Sequence, residues 1–187
     1  MPRVEVDLPI AVPPEAAWAA VVDVESFAAC MDSVDSVTII RQADEHRRTS
    51  AWSVRLKGSV LQWTEDEVID PVARRFDFRQ VTGDLGEFAG HWGVRPAPGG
   101  HSRVCLHVTF DIGIPLLADL LNPVAADALR ENAAQMLTAL ERRLLAGGAA
   151  AGGCGPGAAG SPAGDGAAAP ASVPPPAREA QEERDRV

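Results

Sequence analysis

The fold is decided by the stretch Phe76-Asp-Phe-Arg-Gln-Val-Thr-Gly-Asp-Leu-Gly-Glu-Phe-Ala-Gly-His-Trp-Gly-Val94, in which apolar and polar residues alternate on both sides of Gly83-Asp84. This pattern predicts two antiparallel strands joined by a tight turn. Phe88, Gly90 and Trp92 then share one face of the second strand. A glycine between two aromatic residues on an inward face leaves room for a neighbouring backbone or for a ligand.

The residues on either side of this hairpin predict an α+β fold. Alternation over residues 4–10 predicts a first strand, and Pro13-Pro14-Glu15 is typical of the start of a helix. A second short helix is expected from Ser26. Further strands with period two are predicted at residues 34–42, 49–57, 60–69 and 103–112. We therefore expect a curved antiparallel sheet of about seven strands, with two short helices after the first strand.

A long amphipathic helix is predicted near the C-terminus. Asn122 is a favoured N-cap residue and Pro123 a favoured first helical residue, while Gly147 fits the position that ends a helix. Apolar residues recur between them at spacings of three and four, at Ala125, Leu129, Ala133, Met136, Leu140 and Leu144. Such a helix can close the concave face of a curved sheet, which is the helix-grip arrangement.

Composition predicts one domain and a tail. Residues 147–187 consist mainly of Ala, Gly, Pro and Ser and end in a short charged stretch, so they are expected to be disordered. Residues 1–146 are then the folded domain. The net charge of −9, without a basic stripe, argues against nucleic acid or an anionic membrane surface as a partner.

Several other sites and locations are disfavoured by the sequence. No apolar run is long enough to span a membrane, and the N-terminus lacks the apolar core of a signal peptide, so we expect a soluble, cytoplasmic protein without membrane insertion. Cys30, Cys105 and Cys154 show no repeated spacing, which supports neither a disulfide framework nor a zinc site. Four scattered histidines assemble no metal site or triad.

The chain resembles the START-like (helix-grip) superfamily, and within it the polyketide cyclase/dehydrase family of aromatase/cyclases. The likeness covers residues 4–146 and includes a strand with Trp63. It also rests on the motifs Val12-Pro-Pro-Glu-x-x-Trp18, Gly83-Asp-x-x-x-Phe-x-Gly-x-Trp92, Phe110-Asp111 and Arg130-x-Asn132. The resemblance implies a deep pocket between sheet and long helix, where a poly-β-ketone is cyclised by aldol chemistry and dehydrated. Lipid and quinone carriers share the superfamily.

This resemblance and the inward sheet faces together give the expected binding residues. We expect the pocket to be lined by Trp52, Trp63, Phe78, Phe88, Trp92, Leu106, Phe110, Asn132 and Met136. The ligand would be a hydrophobic or polyketide small molecule, free or attached to an acyl carrier protein, and we expect no metal or organic cofactor. A homodimer is left open.

One departure from the family concerns the strand after Trp63. The aromatase/cyclases present a serine and an arginine on the inward positions, whereas this chain has Glu65 and Glu67. If both face the pocket, one carboxyl can be held protonated by burial and by its neighbour's charge, and the pair can serve as acid and base. The alternative is a register change or bulge that turns both towards solvent.

Arg79 is the third candidate catalytic residue, because it matches an arginine thirteen residues before Trp92 in the family. Strict alternation points it outward, so it reaches the pocket only if a bulge intervenes before Phe88; otherwise it forms a surface ion pair with Asp77 or Glu87. The leading hypothesis is an aromatase/cyclase-like enzyme or dehydratase. The alternatives are a non-catalytic carrier of a hydrophobic molecule and a small interaction domain with a vestigial pocket.

Overall fold

The structure, a computed structural model, describes residues 1–151, and side chains through residue 147. The predicted disordered tail lies outside the described residues from residue 152 onwards. The strands are β1 (Arg3–Ile10), β2 (Val34–Asp44), β3 (Arg47–Leu56), β4 (Ser59–Asp70), β5 (Arg75–Gly83), β6 (Glu87–Ala97) and β7 (His101–Asp111). The α-helices are α1 (Pro14–Val22), α2 (Phe27–Cys30) and α3 (Ala118–Ala151).

The strands form one antiparallel sheet in the order β1-β7-β6-β5-β4-β3-β2. Strands β2 to β7 lie side by side in their sequence order, so short turns connect them. Strand β1 pairs with β7 and forms the edge of the sheet opposite β2. Helix α3 packs against β1, β7 and β3. Its buried face, including Ala133, Leu137 and Leu140, meets the inward sheet residues. The predicted helix-grip fold is confirmed.

The predicted bounds of the long helix are wrong at both ends. Helix α3 begins at Ala118, directly after a turn of 3-10 helix at Pro115–Leu117, so Pro123 lies inside it. Pro123 is the sixth residue of the helix, so it lacks the N–H group that an interior helical residue donates to the carbonyl four residues earlier. The helix also continues past Gly147 to Ala151. A glycine permits a helix end but does not impose one.

The central hairpin places its glycine against another strand. A Cβ atom on Gly90 would lie 2.0 Å from the His107 carbonyl oxygen and 2.7 Å from Cζ of Phe78. The room beside Gly90 is therefore taken by neighbouring backbone and by the Phe78 ring. Pairing between β5 and β6 ends at Arg79 and Ala89.

Beyond that point β5 follows β4 alone, and a bulge sits between them. Glu65 is paired with Gln80 and Thr64 with Thr82, so Val81 is the extra residue of β5. The bulge lies on β5 and leaves β4 regular in its pairing with β3. Glu65 and Glu67 consequently keep the same inward face as Trp63.

Candidate active site

A cavity of about 60 Å³ lies between the concave sheet face and α3. Its lining is almost entirely apolar, with Glu65 and Asn132 as the polar members among the described residues. The full lining comprises Trp52, Val54, Leu56, Leu61, Trp63, Glu65, Phe78, Leu85, Phe88, Trp92, Leu106, Val108, Leu129, Asn132, Ala133 and Met136. A site of this composition favours a hydrophobic ligand held by few polar contacts.

Aromatic rings form one continuous wall of the cavity. Trp52 and Trp63 are cross-strand partners on β3 and β4, and their rings stack with centroids 5.7 Å apart and planes 5° from parallel. The Trp63 ring lies 5.2 Å from that of Phe88, which in turn lies 5.6 Å from Phe78. Rings that pack on one another hold each other's rotamers, so the wall is preorganised for a flat apolar molecule.

The mouth of the cavity lies where its lining is half-buried. Leu56, Leu61 and Leu85 come from the two turns at this end of the sheet, and Leu129 faces them from α3. Just outside, Lys57 forms an ion pair with Glu131 and so links the β3–β4 turn to the helix. A ligand entering here passes between apolar side chains.

Glu65 is the ionisable residue of the cavity lining. It is 2% exposed, and the indole Nε1 of Trp63 donates a hydrogen bond to its Oε2 at 2.7 Å. Burial, followed by the negative charge of Glu67, raises the pKa of Glu65 to about 8, while the Trp63 hydrogen bond and the charge of Arg48 oppose the shift. This pKa favours the neutral carboxylic acid form of Glu65 at neutral pH.

Glu67 faces the same way but is enclosed by protein. Arg48 Nε donates to its Oε2 at 2.5 Å, and Ser50 Oγ donates to its Oε1 at 2.5 Å. Glu67 is 1% exposed and is not part of the cavity lining. The predicted pair of acids is thus divided: Glu65 faces the ligand space, and Glu67 faces Arg48.

Two predicted site residues lie elsewhere. The Arg79 side chain is 73% exposed and pairs with Glu87 at 3.1 Å, so the expectation that it reaches the pocket is wrong. The bulge that could have turned it inward lies two residues further along β5, after Arg79. Phe110 is fully buried in the core and is not part of the cavity lining.

The other predicted binding residues, Trp52, Trp63, Phe78, Phe88, Trp92, Leu106, Asn132 and Met136, all line the cavity. Sequence analysis missed Arg48 and Ser50, which hold Glu67. The alternation of β3 contained the signal, since both lie on the same inward positions as Trp52.

The comparisons with known proteins agree with this architecture. A family model described as polyketide cyclase / dehydrase and lipid transport matches residues 1–145, which is most of the chain. The chain belongs to this family.

Within the part described by the structure, no helix is long and apolar enough to cross a membrane, and no cluster of three or more His, Cys, Asp or Glu residues could hold a metal ion.

One curated relative of this chain is the granaticin polyketide synthase bifunctional cyclase/dehydratase of Streptomyces violaceoruber. It is 28% identical over 144 residues, which are 74% of this chain and 42% of the relative. The chain therefore spans less than half the length of that relative.

Two solved structures are similar over nearly their whole length. The protein TTHA0849 from Thermus thermophilus has a TM-score of 0.73 and 29% identity, covering 78% of this chain and 99% of its own. The Zhui aromatase/cyclase from Streptomyces sp. R1128 has a TM-score of 0.73 and 20% identity, covering 82% and 99%. The latter likeness establishes the shared fold.

Proposed function

We propose that this protein is a cyclase/dehydratase-like enzyme that acts on a hydrophobic polyketide or related β-hydroxy ketone, with Glu65 as its proton-transfer residue. The observation that carries the proposal is a buried carboxyl group, its pKa raised by burial and by the charge of Glu67, in the wall of an otherwise apolar, aromatic cavity. Membership of the polyketide cyclase/dehydrase family supports it. The substrate arrives free or on an acyl carrier protein.

The chemistry follows from the charge state of Glu65. In the dehydration of a β-hydroxy ketone, the Cα–H and Cβ–OH bonds break, a C=C bond forms and water leaves. Neutral Glu65 gives its proton to the departing hydroxyl group, and the carboxylate that results takes the proton from Cα, which restores the acid. A pKa of about 8 suits both steps, since general acid–base groups work best near the ambient pH.

The cavity has to widen for this substrate. Its volume of about 60 Å³ is well below the several hundred Å³ of a pocket that encloses a drug-sized ligand. The half-buried leucines at the mouth are the side chains with room to move, because they border solvent. We therefore expect the ligand to enter between Leu61, Leu85 and Leu129.

A second function, carriage of a hydrophobic molecule without turnover, is favoured by the apolar walls. Apart from Glu65, the described lining offers one polar side chain, the Asn132 amide. A carrier needs only this apolar surface, whereas the enzyme also needs the Glu65 proton. The two functions therefore differ in what happens when that proton is removed.

The test is dehydration of the aldol adduct of 2-naphthaldehyde and acetone, followed by the absorbance of the conjugated enone. Glu65→Gln should slow turnover by about 10²–10⁴-fold, the usual contribution of a general acid–base group, with binding of the adduct little changed. Glu87→Gln is the matched control, since Glu87 is a carboxylate on the outer face of the same sheet. Binding without turnover by the wild type would instead establish the carrier.

A further inference from the structure

Behind Glu65 lies a buried ion pair that the proposed proton transfer does not use. Arg48 and Glu67 are cross-strand partners on β3 and β4, with side chains 7% and 0% exposed. Both oxygens of Glu67 receive donors: Arg48 Nε on one and Ser50 Oγ on the other. Glu67 is therefore the acidic partner of a buried ion pair, with a donor on each of its oxygens.

Arg48 is itself fixed in place. Its Nη1 donates to the carbonyl of Val22 at 2.9 Å, at the C-terminal end of α1, where the helix dipole favours a cation. Its guanidinium carbon lies 5.9 Å from the centre of the Phe76 ring. The Ser50 hydroxyl accepts a hydrogen bond from Trp52 Nε1 at 2.8 Å, which joins the ion pair to the aromatic wall. The charge on Glu67 is therefore held at a set place behind the cavity.

The charges around Glu65 come from two strands. Glu67 lies two residues further along β4 on the same face, which places the two side chains about 7 Å apart. Arg48 contributes from β3, where it is the cross-strand partner of Glu67. The cavity residues of β5, β6, β7 and α3 that face Glu65 are uncharged. Of these two charges, the negative charge of Glu67 acts on the pKa of Glu65 more strongly than the positive charge of Arg48.

We infer that Arg48 and Glu67 form a positioning pair, whose fixed carboxylate beside Glu65 makes the cavity select neutral carbonyl-bearing ligands over anionic ones. Protonated Glu65 donates a hydrogen bond to a ketone oxygen. A carboxylate ligand in the same place would meet the charge of Glu67 with no cation in the described lining to balance it. This inference rests on the proposed ligand class, but its measurements need no turnover.

The first measurement follows the Glu65 side-chain carboxyl by ¹³C NMR as pH is raised. Glu67→Gln should lower the titration midpoint of Glu65 by about one to two pH units, because it removes a unit charge about 7 Å away at an effective dielectric constant near 20. Glu67→Asp, which retains the charge, should stay close to wild type. Glu87→Gln should leave the midpoint unchanged. A midpoint unaffected by Glu67→Gln would overturn the inference.

The second measurement compares two probes of nearly equal shape, 2-acetylnaphthalene and 2-naphthoate. The wild type should bind the ketone at least tenfold more tightly at neutral pH, and Glu67→Gln should reduce this preference several-fold. Glu65→Gln tests the donor: its amide retains an N–H group, so the ketone should still bind. Equal affinity of the wild type for both probes would contradict the selection.

Glu67→Gln leaves a buried Arg48 without its partner, so folding is checked by circular dichroism. If that variant does not fold, the double variant Arg48→Met/Glu67→Met takes its place, since apolar residues of similar size often replace a buried ion pair without loss. It should lower the Glu65 midpoint by less, because an opposing positive charge leaves as well. If the wild type shows these titrations but no turnover, the proposed enzymatic function is refuted, whereas the inference about the positioning pair is supported.

Discussion

Two glutamates on β4, separated by one residue, occupy opposite kinds of environment. Glu65 faces the aromatic cavity and receives one indole hydrogen bond, whereas Glu67 receives a guanidinium and a hydroxyl. Both are almost fully buried, at 2% and 1% exposed. Burial alone would favour the neutral form of each, so the difference lies in the donors that β3 supplies. Identical side chains on one strand face are thereby set up for different roles.

The two environments also differ in how much a substitution in each should change the free energy of unfolding. A buried ion pair gains little net stability, but removing one partner leaves an uncompensated buried charge. A buried neutral carboxyl with one hydrogen bond demands much less of its surroundings. The region around Glu67 should therefore be sensitive to substitution for structural reasons, and the region around Glu65 for functional ones.

The largest expected effect on stability comes from Arg48→Met. Removing the guanidinium strands the Glu67 charge, which should lower the free energy of unfolding by about 3–5 kcal/mol. Urea denaturation at neutral pH measures it. The double variant Arg48→Met/Glu67→Met should recover most of the loss. A single variant as stable as the wild type would contradict the expected effect of an unpaired buried charge.

The pH dependence of stability tests Glu65. Its pKa is about 8 in the folded protein and 4.5 when unfolded, so between these values the unfolded state loses a proton that the folded state keeps. Stability from this group is complete below pH 4.5 and falls as pH rises towards 8, by roughly a few kcal/mol in total. Glu65→Gln should flatten this decline and be more stable than wild type near pH 8. Parallel stability curves for the two proteins would contradict the raised pKa.

The sequence predicted the parts of the molecule that depend on alternation. The hairpin, the seven strands and the inward face of β4 follow from a period of two, which local sterics impose. Arg48 was missed because its importance depends on cross-strand pairing with Glu67, a register that a single sequence does not specify. The resemblance to the family suggested Arg79, but the bulge in β5 comes too late to turn it inward.

The helix bounds show a different limit. Asn122-Pro123 is a strong start signal, yet α3 begins four residues before Asn122, because the turn at Pro115–Leu117 already leads the chain into a helical path. Tertiary context thus overrides a local capping preference.

A matched pair of phenylalanines separates cavity from core. Phe88 and Phe110 are cross-strand partners, and only Phe88 lines the cavity. Phe88→Leu should weaken binding of 2-acetylnaphthalene by about 1 kcal/mol, or roughly fivefold in Kd, through lost ring contact. Phe110→Leu should lower stability and leave the affinity unchanged. Isothermal titration calorimetry measures the affinity of both folded variants for 2-acetylnaphthalene. Equal losses of affinity would place Phe110 in the site.

The smallest expected effect is that of Arg79→Ala on the outer face of the sheet. Arg79 and Glu87 are side chains 73% and 39% exposed, and an ion pair in that setting contributes roughly 0–1 kcal/mol because water and salt screen it. The substitution should therefore leave turnover, affinity for 2-acetylnaphthalene and the titration of Glu65 within error of wild type. The same three measurements on Glu65→Gln provide the contrast. A tenfold loss of turnover in a folded Arg79→Ala protein would mean that this arginine reaches the substrate in a conformation different from the one described, and the division between an inner catalytic face and an outer solvated face would fail.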